Sequence, residues 1–442
     1  MVENSLFLIG SMQVSGSDPR LQQILARAYD DPNRPRCLCV PGGIEMYIAK
    51  YGLFMLKRMP GTGKDHAAAC DSYEPDQDSS GLGYHLGETI LPKDHDVLEV
   101  RTDFALDRFE GRAIERGEST EETDVSSKRR AMSILGLLHL VWNKAEFNRW
   151  KPAMTGKRHQ GVIRKYLLEA SEKIVIKGMR LSERLFVPEP FKSEDAEAIK
   201  SRREQAFSVM TMEGLSTKQK LMIVIGEIKS MEKITLGYKL LIKHMPDCPL
   251  MLDTKSGGKI LKQHEHLFAM RDMQQGVRLI AVVTVTMKGY ADYRVDTMNI
   301  AMTTDHWIPI ENSFEKALAD ALTLARRQFI KPLSFDTPSS IAFSNFLLQD
   351  AAREPLPLNI VLPTANKTAQ KAKEDLIAAS PPGSWVWRIE ESLQLPALPP
   401  KQSSATSADE PSEIVRGKRQ DNNTTRTAVK VPPKPPLVPR FN

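Results

Sequence analysis

The chain is short of cysteine, of long apolar runs and of catalytic signatures, and each shortage removes a class of protein. Four cysteines in 442 residues are too few for a disulfide framework, so a reducing compartment and metal binding are the better match. The longest uninterrupted apolar stretch, near Leu279 to Val283, is far shorter than the roughly 20 residues that cross a bilayer. No membrane partner is expected. The opening Met-Val-Glu-Asn-Ser-Leu-Phe-Leu-Ile-Gly has no positive n-region, too short an apolar part and no cleavage site, which predicts a cytoplasmic address. No catalytic triad, dinucleotide fingerprint or paired carboxylates fall at a recognisable spacing. That weighs against an enzyme, and no small-molecule substrate suggests itself. No repeat at solenoid period is found either.

What is present suits a modular, folded α+β protein. Hydrophobic residues make up 41% and charged residues 26%, a balance that excludes a wholly disordered or fibrous chain. The length asks for more than one ordinary core. Residues 1–110 read as a small β-rich unit behind one helix, from Asp18 or Pro19 to Tyr29, whose Leu21, Ile24, Leu25 and Ala28 share a face. Strands are expected at Cys37–Val40, Ile44–Lys50, Leu53–Arg58 and Val97–Thr102, broken by Pro-Gly turns. The polar run 111–127 reads as a linker.

Residues 128–215 are expected to be helical, with a helix-turn-helix or winged-helix outline in Lys128–Asn148 and Val162–Ser171. Residues 216–310 return to strands, and a helix near Asn312 is capped by that residue with Glu315 at its third position. Residues 311–395 read as an α/β unit. From 396 to 442 the composition turns to Pro, Ser, Thr, Lys and Asp, too apolar-poor to offset ordering, and a disordered tail follows.

Three of the four cysteines fall within 34 residues. Cys37-Leu-Cys39 puts two thiolates on one face of an extended strand, and His66-Ala-Ala-Ala-Cys70 puts a second pair on one face of a helix. Together they complete a tetrahedral Cys3His set. With no position left for water, that set implies a structural Zn2+ rather than a catalytic one, contributing on the order of 10 kcal/mol to a small fold. Ordinary buried cysteines beside an incidental histidine, or a redox sensor, are the competing explanations. The strand pair answered by a Cys/His pair resembles SWIM-type zinc fingers, but ends His-x-x-x-Cys instead of Cys-x-His.

Two look-alikes fail. Pro60-Gly-Thr-Gly-Lys64 lacks the glycine of a phosphate loop, because Arg58 stands there, and Asp65 replaces the required Ser or Thr. His244-Met-Pro-Asp-Cys248 repeats the metal spacing, but Pro246 bars a regular helix.

Several segments carry a wider resemblance: Arg36-Cys-Leu-Cys-Val-Pro-Gly-Gly, Lys57-Arg-Met-Pro-Gly-Thr-Gly, His66 to Cys70, Ser72-Tyr-Glu-Pro, Asn148-Arg-Trp-Lys-Pro-Ala-Met, Ile242-Lys-His-Met-Pro-Asp-Cys-Pro, Trp307-Ile-Pro and Arg327-Gln-Phe-Ile-Lys-Pro-Leu. They resemble an uncharacterised bacterial family, a domain of unknown function, with three cysteines near its N-terminus. The likeness covers most of residues 20–390. It implies a setting on plasmids and integrative elements without implying a mechanism.

Three functions compete. Lys128, Arg129 and Arg130 open one predicted helix, and Lys157, Arg158, His159, Arg164 and Lys165 cluster at the next, which suits a DNA- or RNA-binding accessory factor of a mobile element. A solvated basic face is the plain alternative. The zinc unit and proline-rich tail also suit a scaffold for other proteins of the element. Lastly, the helix from Ser313, Phe329-Ile-Lys-Pro-Leu, strands at Ile341–Leu348 and Leu358–Leu362 and a closing helix with Trp385-Val-Trp resemble a restriction-endonuclease-like order. Its metal-binding carboxylates are missing, since Asn359, Ile360 and Val361 occupy the second strand and Asp350 alone lies near the first hairpin. That implies an inactive or divergent nuclease.

Overall fold

Short strands turned by glycines open the chain; those after residue 36 follow the Pro-Gly spacing, whereas the hairpin before the first helix was not expected. The computed structural model describes residues 5–94, 97–109, 130–211, 218–289, 291–364, 366–381 and 384–402. Strands β1 (Leu6–Ile9) and β2 (Met12–Ser15) form a hairpin. Helix α1 (Leu21–Arg27) buries Leu25 and packs Leu21, Ile24 and Ala28 on the sheet, the face expected. β3 (Arg36–Cys37), β4 (Ile44–Tyr51) and β5 (Leu53–Arg58) complete a five-stranded sheet of order β2-β1-β3-β4-β5.

Two local expectations here need correction. The strand from Cys37 stops at Cys37, and Leu38 and Cys39 lie in a turn. Gly42 and Gly43 behind them hold φ of +83° and +68°, a conformation glycine adopts at little cost. The helix expected over His66–Cys70 is a single 3-10 turn at Gly63–Asp65, after which His66 is extended (φ −71°, ψ 151°) and residues 67–70 turn.

The middle of the chain supplies β6 (Ile90–Asp94) and β7 (Val97–Val100), then α2 (Ile134–Lys144), β8 (Arg149–Trp150), α3 (Gln160–Ser171) and β9 (Ile174–Ile176), which runs parallel to β7. Ser133 starts α2 by accepting a hydrogen bond from the Gly136 amide at 3.0 Å. Ile134, Leu137, Leu138, Leu140, Val141 and Trp142 are all buried, so α2 is a core helix. Residues 111–127, Lys128 and Arg129 lie outside the described residues.

The strands of 218–304 close on themselves. β10 (Met222–Ile234) pairs with β11 (Gly237–Ile242), and β11 pairs with β12 (Leu250–Leu252). Helices α4 (Thr254–Gln263) and α5 (Glu265–Met273) follow before β13 (Val277–Met287) and β14 (Tyr293–Thr304). β12 runs parallel to β14, β14 antiparallel to β13, and β13 returns to β10. Numbered along the chain, the ring runs 1-2-3-5-4-1. Met222, Val224, Leu240, Leu250, Leu279, Val283 and Ile300 belong to one core cluster. The alternate residues Ile223, Ile225, Ile280 and Val282 belong to a second core, with α2. Burial on both faces explains why Leu279–Val283 reads as an unbroken apolar run.

A five-stranded mixed sheet ends the fold. α6 (Ser313–Leu324), β15 (Phe329–Ile330), β16 (Phe346–Leu348), β17 (Leu356–Val361), α7 (Lys367–Ala378) and β18 (Trp385–Arg388) follow in sequence, with sheet order β18-β17-β16-β15-β8. β17 and β18 are parallel and the other pairs antiparallel. Asn312 caps α6 as expected, accepting from the Glu315 amide at 2.9 Å, whereas the Glu315 carboxylate reaches the Glu311 amide at 2.7 Å. Trp385-Val-Trp is a strand, not the closing helix expected, because its alternate tryptophans bury into the sheet core. The tail expected to be disordered from Pro396 is packed at its start. Ala397 accepts from the Trp385 indole at 2.9 Å, Gln402 donates to the Asp350 carbonyl at 2.8 Å, and Leu398 packs on the core. Residues 403–442 lie outside the described residues.

Candidate metal centre

Each predicted ligand is placed by a turn. β3 ends at Cys37, the turn through Leu38 and Cys39 keeps Cys39 beside it, and the 63–70 loop supplies His66 and Cys70. The four ligand atoms lie within 4.8 Å of one another, and Cys37, His66 and Cys70 are buried while Cys39 is half-buried. Cys37 Sγ is 3.7 Å from Cys70 Sγ, Cys39 Sγ is 3.3 Å from His66 Nδ1, and Cys70 Sγ is 3.7 Å from His66 Nδ1. Ligands at 2.0–2.3 Å from a common tetrahedral centre lie roughly 3.3–3.8 Å apart. These separations fit one metal ion and are far too long for a disulfide, near 2.05 Å. All four cysteines are free thiols.

Hydrogen bonds from Cys37 and then Cys70 pull Cys39 well below the usual thiol range. Cys37 is pushed up, first by its bond with Cys39, then by Cys70 and by burial. The direction at Cys39 favours the thiolate, the form that binds metal. His66 presents Nδ1 to the sulfurs, and its Nε2 is buried without a hydrogen-bond partner.

The metal loop is docked on the C-terminal sheet. The Ala68 amide donates to the Arg353 carbonyl at 3.2 Å, Gln349 Nε2 donates to the Ala68 carbonyl, and Arg149 Nη2 donates to the Tyr73 carbonyl. Lys151 pairs with Asp71. Cys37, Cys70, Tyr73 and Met46 share one apolar cluster with Ile330 of β15 and Leu347 of β16. A clasp there ties residues near the N-terminus to strands some three hundred residues later.

The basic residues singled out in the sequence do not form one free patch. Arg130 stacks 4.2 Å from the Tyr84 ring centre and pairs with Glu88 at 3.2 Å. Arg158 donates to the Phe147 and His306 carbonyls at 2.9 and 3.1 Å, and burial lowers its pKa to about 10. Arg164 donates to the Val187 carbonyl at 3.1 Å. Lys165 is exposed beside Glu169 at 3.8 Å, and Lys157 and His159 are exposed. A charge run does not reveal which loop carbonyls need donors, and here Arg158 and Arg164 supply them. Cys248 is buried alone, and His244 Nδ1 accepts from the Phe191 amide at 3.2 Å, both parts of the frame. Lys64 of the phosphate-loop look-alike pairs with Asp76 at 3.3 Å.

Sequence reasoning missed the lysines on α4 and the partners of Glu315. The first were legible as an i, i+4, i+7 spacing, and the second were not. Among the described residues no helix is long and apolar enough to cross a membrane. No curated protein and no solved structure matches the chain. A family model does match, over residues 7–390, a span that takes in the metal ligands, the barrel and the C-terminal sheet. The chain belongs to the family described as protein of unknown function (DUF1173).

Proposed function

We propose that the chain is a nucleic-acid-binding protein without catalytic activity, an accessory factor of a mobile element, whose Cys3His site holds a structural Zn2+. The observation that carries this reading is the closed barrel of β10 to β14. Its order 1-2-3-5-4-1, its parallel third and fifth strands and its helices after the third strand match the five-stranded barrels that bind oligonucleotides or oligosaccharides across the second and third strands. A fold alone does not choose a ligand, so the side chains must. Nine lysines stand against four carboxylates in residues 218–263, which places most of the chain's net +6 on this barrel.

Lys255, Lys259 and Lys262 are exposed along one face of α4, and Lys229 and Lys233 are exposed on β10. Among the described residues none of the five has a carboxylate at ion-pair distance. Lys239 and Lys243 on or beside β11 are offset by Glu232 and Glu227 at 3.1 Å. The outward positions of β11 and β12 between core residues are Lys239, Leu241 and Met251, with no aromatic platform. Binding should then be electrostatic, tolerant of sequence and steep in salt.

A fluorescence anisotropy titration with a single-stranded oligonucleotide at several salt concentrations tests this. The triple change Lys255→Gln, Lys259→Gln, Lys262→Gln should lower affinity at least tenfold and flatten the log–log salt slope by about 2, at roughly 0.7 per lost contact. Equal affinity in the variant, or a preference for a neutral oligosaccharide, refutes the reading.

A second reading, a divergent nuclease-like unit, is favoured by the succession α6-β15-β16-β17-α7-β18 and its strand order. Its chemistry departs from cleavage. Asn345 and Asn359 carry amides at the end of β16 and on β17, and Asp350 is held by Arg327 at 3.0 Å. No Mg2+-dependent cleavage is expected.

A further inference from the structure

The C-terminal sheet holds a second concentration of buried polar groups, apart from the metal ligands. Glu315 in the first turn of α6 and Lys331 directly after β15 are 1% and 3% exposed, with carboxylate and ammonium 2.8 Å apart. Asn345 donates its amide to the same Glu315 oxygen at 2.8 Å, and its own oxygen accepts from the Ile360 amide at 2.8 Å and from Lys373 Nζ at 2.9 Å. Lys373 also donates to Asn359 Oδ1 at 3.0 Å and to the Phe343 carbonyl at 2.8 Å. Asn359 is fully buried, and its Nδ2 has no partner. A cavity of about 340 Å³ opens over the group, lined among others by Glu315, Lys331, Asn345, Gln370 and Lys373.

The balance of these groups favours an anion. Two ammonium groups face one buried carboxylate. The other carboxylate at the cavity, Glu311, is exposed at the rim, where water screens its pull on the two lysines without removing it. Lys331 uses one of its three ammonium donors on Glu315. Burial first, and then the charge of Lys331, lowers Lys373 to about 8, so the charge held there lacks full compensation. A nuclease metal site is built from carboxylate acceptors that attract a cation. Here amides and ammonium groups stand instead, and the donor set is inverted.

We propose that this cavity is a binding site for a phosphate group, held by the two ammonium donors that Lys331 has beyond Glu315 and drawn in by the positive charge of Lys373. A neighbouring cavity of about 310 Å³ shares Glu311, Lys331 and Ser334 with it and is walled by Leu138, Trp142 and Leu267. It offers room for the organic part of a phosphate ester, so an ester should bind more tightly than free phosphate. The site lies on other elements than the barrel lysines and does not depend on the barrel reading.

The full-length, zinc-loaded chain is titrated by calorimetry with inorganic phosphate, a nucleoside monophosphate and a short single-stranded oligonucleotide. Saturable phosphate binding is expected, weakened at least tenfold by Lys373→Gln and tightened severalfold by Glu311→Gln. The second change is at an exposed rim, so it tests the site even if Lys373→Gln fails to fold, and a lysine with only a structural role would leave it without effect. Stronger binding of the monophosphate assigns the neighbouring cavity to the ester, and equal binding assigns the site to free phosphate. Absence of saturable phosphate binding, or binding that Glu311→Gln leaves unchanged, overturns the proposal. Oligonucleotide binding lost only in the α4 triple variant would then leave the barrel reading standing alone.

Discussion

Replacing Cys39 by serine separates a metal centre from a chance gathering of thiols, because Cys39 is the least buried of the set. As an ordinary half-buried cysteine it makes few contacts, and a serine there should shift stability by no more than about 0.5 kcal/mol. As a ligand it holds an ion worth on the order of 10 kcal/mol, comparable with the whole 5–15 kcal/mol stability of a typical domain. Cys39→Ser should therefore cost as much as Cys37→Ser, although Cys37 is 1% exposed. Both should abolish metal retention. Cys248→Ala supplies the control, since this thiol is buried but distant in sequence from the ligands and should leave the metal content intact. The assay combines elemental analysis with hydrogen exchange. The intact chain should hold about one zinc, and the ligand variants should lose protection in β1–β5 together with β15 and β16, because Ile330 and Leu347 share the N-terminal cluster. Purified protein without zinc, or a Cys39→Ser variant as stable as the parent, refutes the reasoning.

Two further outcomes follow from the same geometry. Lys373 binds its proton less tightly in the folded chain, near 8, than at its ordinary value of 10.5, so between these pH values the unfolded state carries the extra proton and stability rises with pH. Denaturant melts from pH 8 to 10.5 should show a gain of at most about 3 kcal/mol that Lys373→Gln removes; parallel curves for the two proteins would contradict it. Removing zinc with a chelator should also weaken phosphate binding severalfold, since Ile330 is held by the N-terminal cluster and the next residue is Lys331. A phosphate titration of the stripped chain checks this, and an unchanged affinity would uncouple the two sites.

The four candidate metal ligands were legible because their chemistry is rare and their spacing is local. Cys37 and Cys39, or His66 and Cys70, can be paired without knowing what the rest of the chain does. The secondary structure that delivers them was not legible, since the turn through Leu38 and Cys39 depends on two glycines in left-handed conformation, and residues 67–70 are shaped by bonds to Gln349 and Arg353. Helix α6 was readable for the same local reason, its Asn312 cap lying three residues from the amide it accepts. By contrast, the barrel closes through the pairing of β10 with β13, and its order depends on the parallel contact of β12 with β14. Neither leaves a periodic trace, because parallel and antiparallel neighbours bury the same alternate residues.

The same division explains why the availability of the charges was not legible. Lysines and arginines are counted easily in a sequence, but their availability depends on which carbonyls a fold leaves without donors. Arg158 lies within a run of basic residues and is spent on the Phe147 and His306 carbonyls, whereas Lys255, Lys259 and Lys262 sit in an unremarkable helix and keep their ammonium groups in water. Glu315 shows the opposite error. Its capping position is visible in the sequence, yet its carboxylate is committed to Lys331 and Asn345, residues brought to it only when β15 and β16 pair. A local rule can place such a residue on its element. What the side chain does there is decided by the strand that arrives beside it.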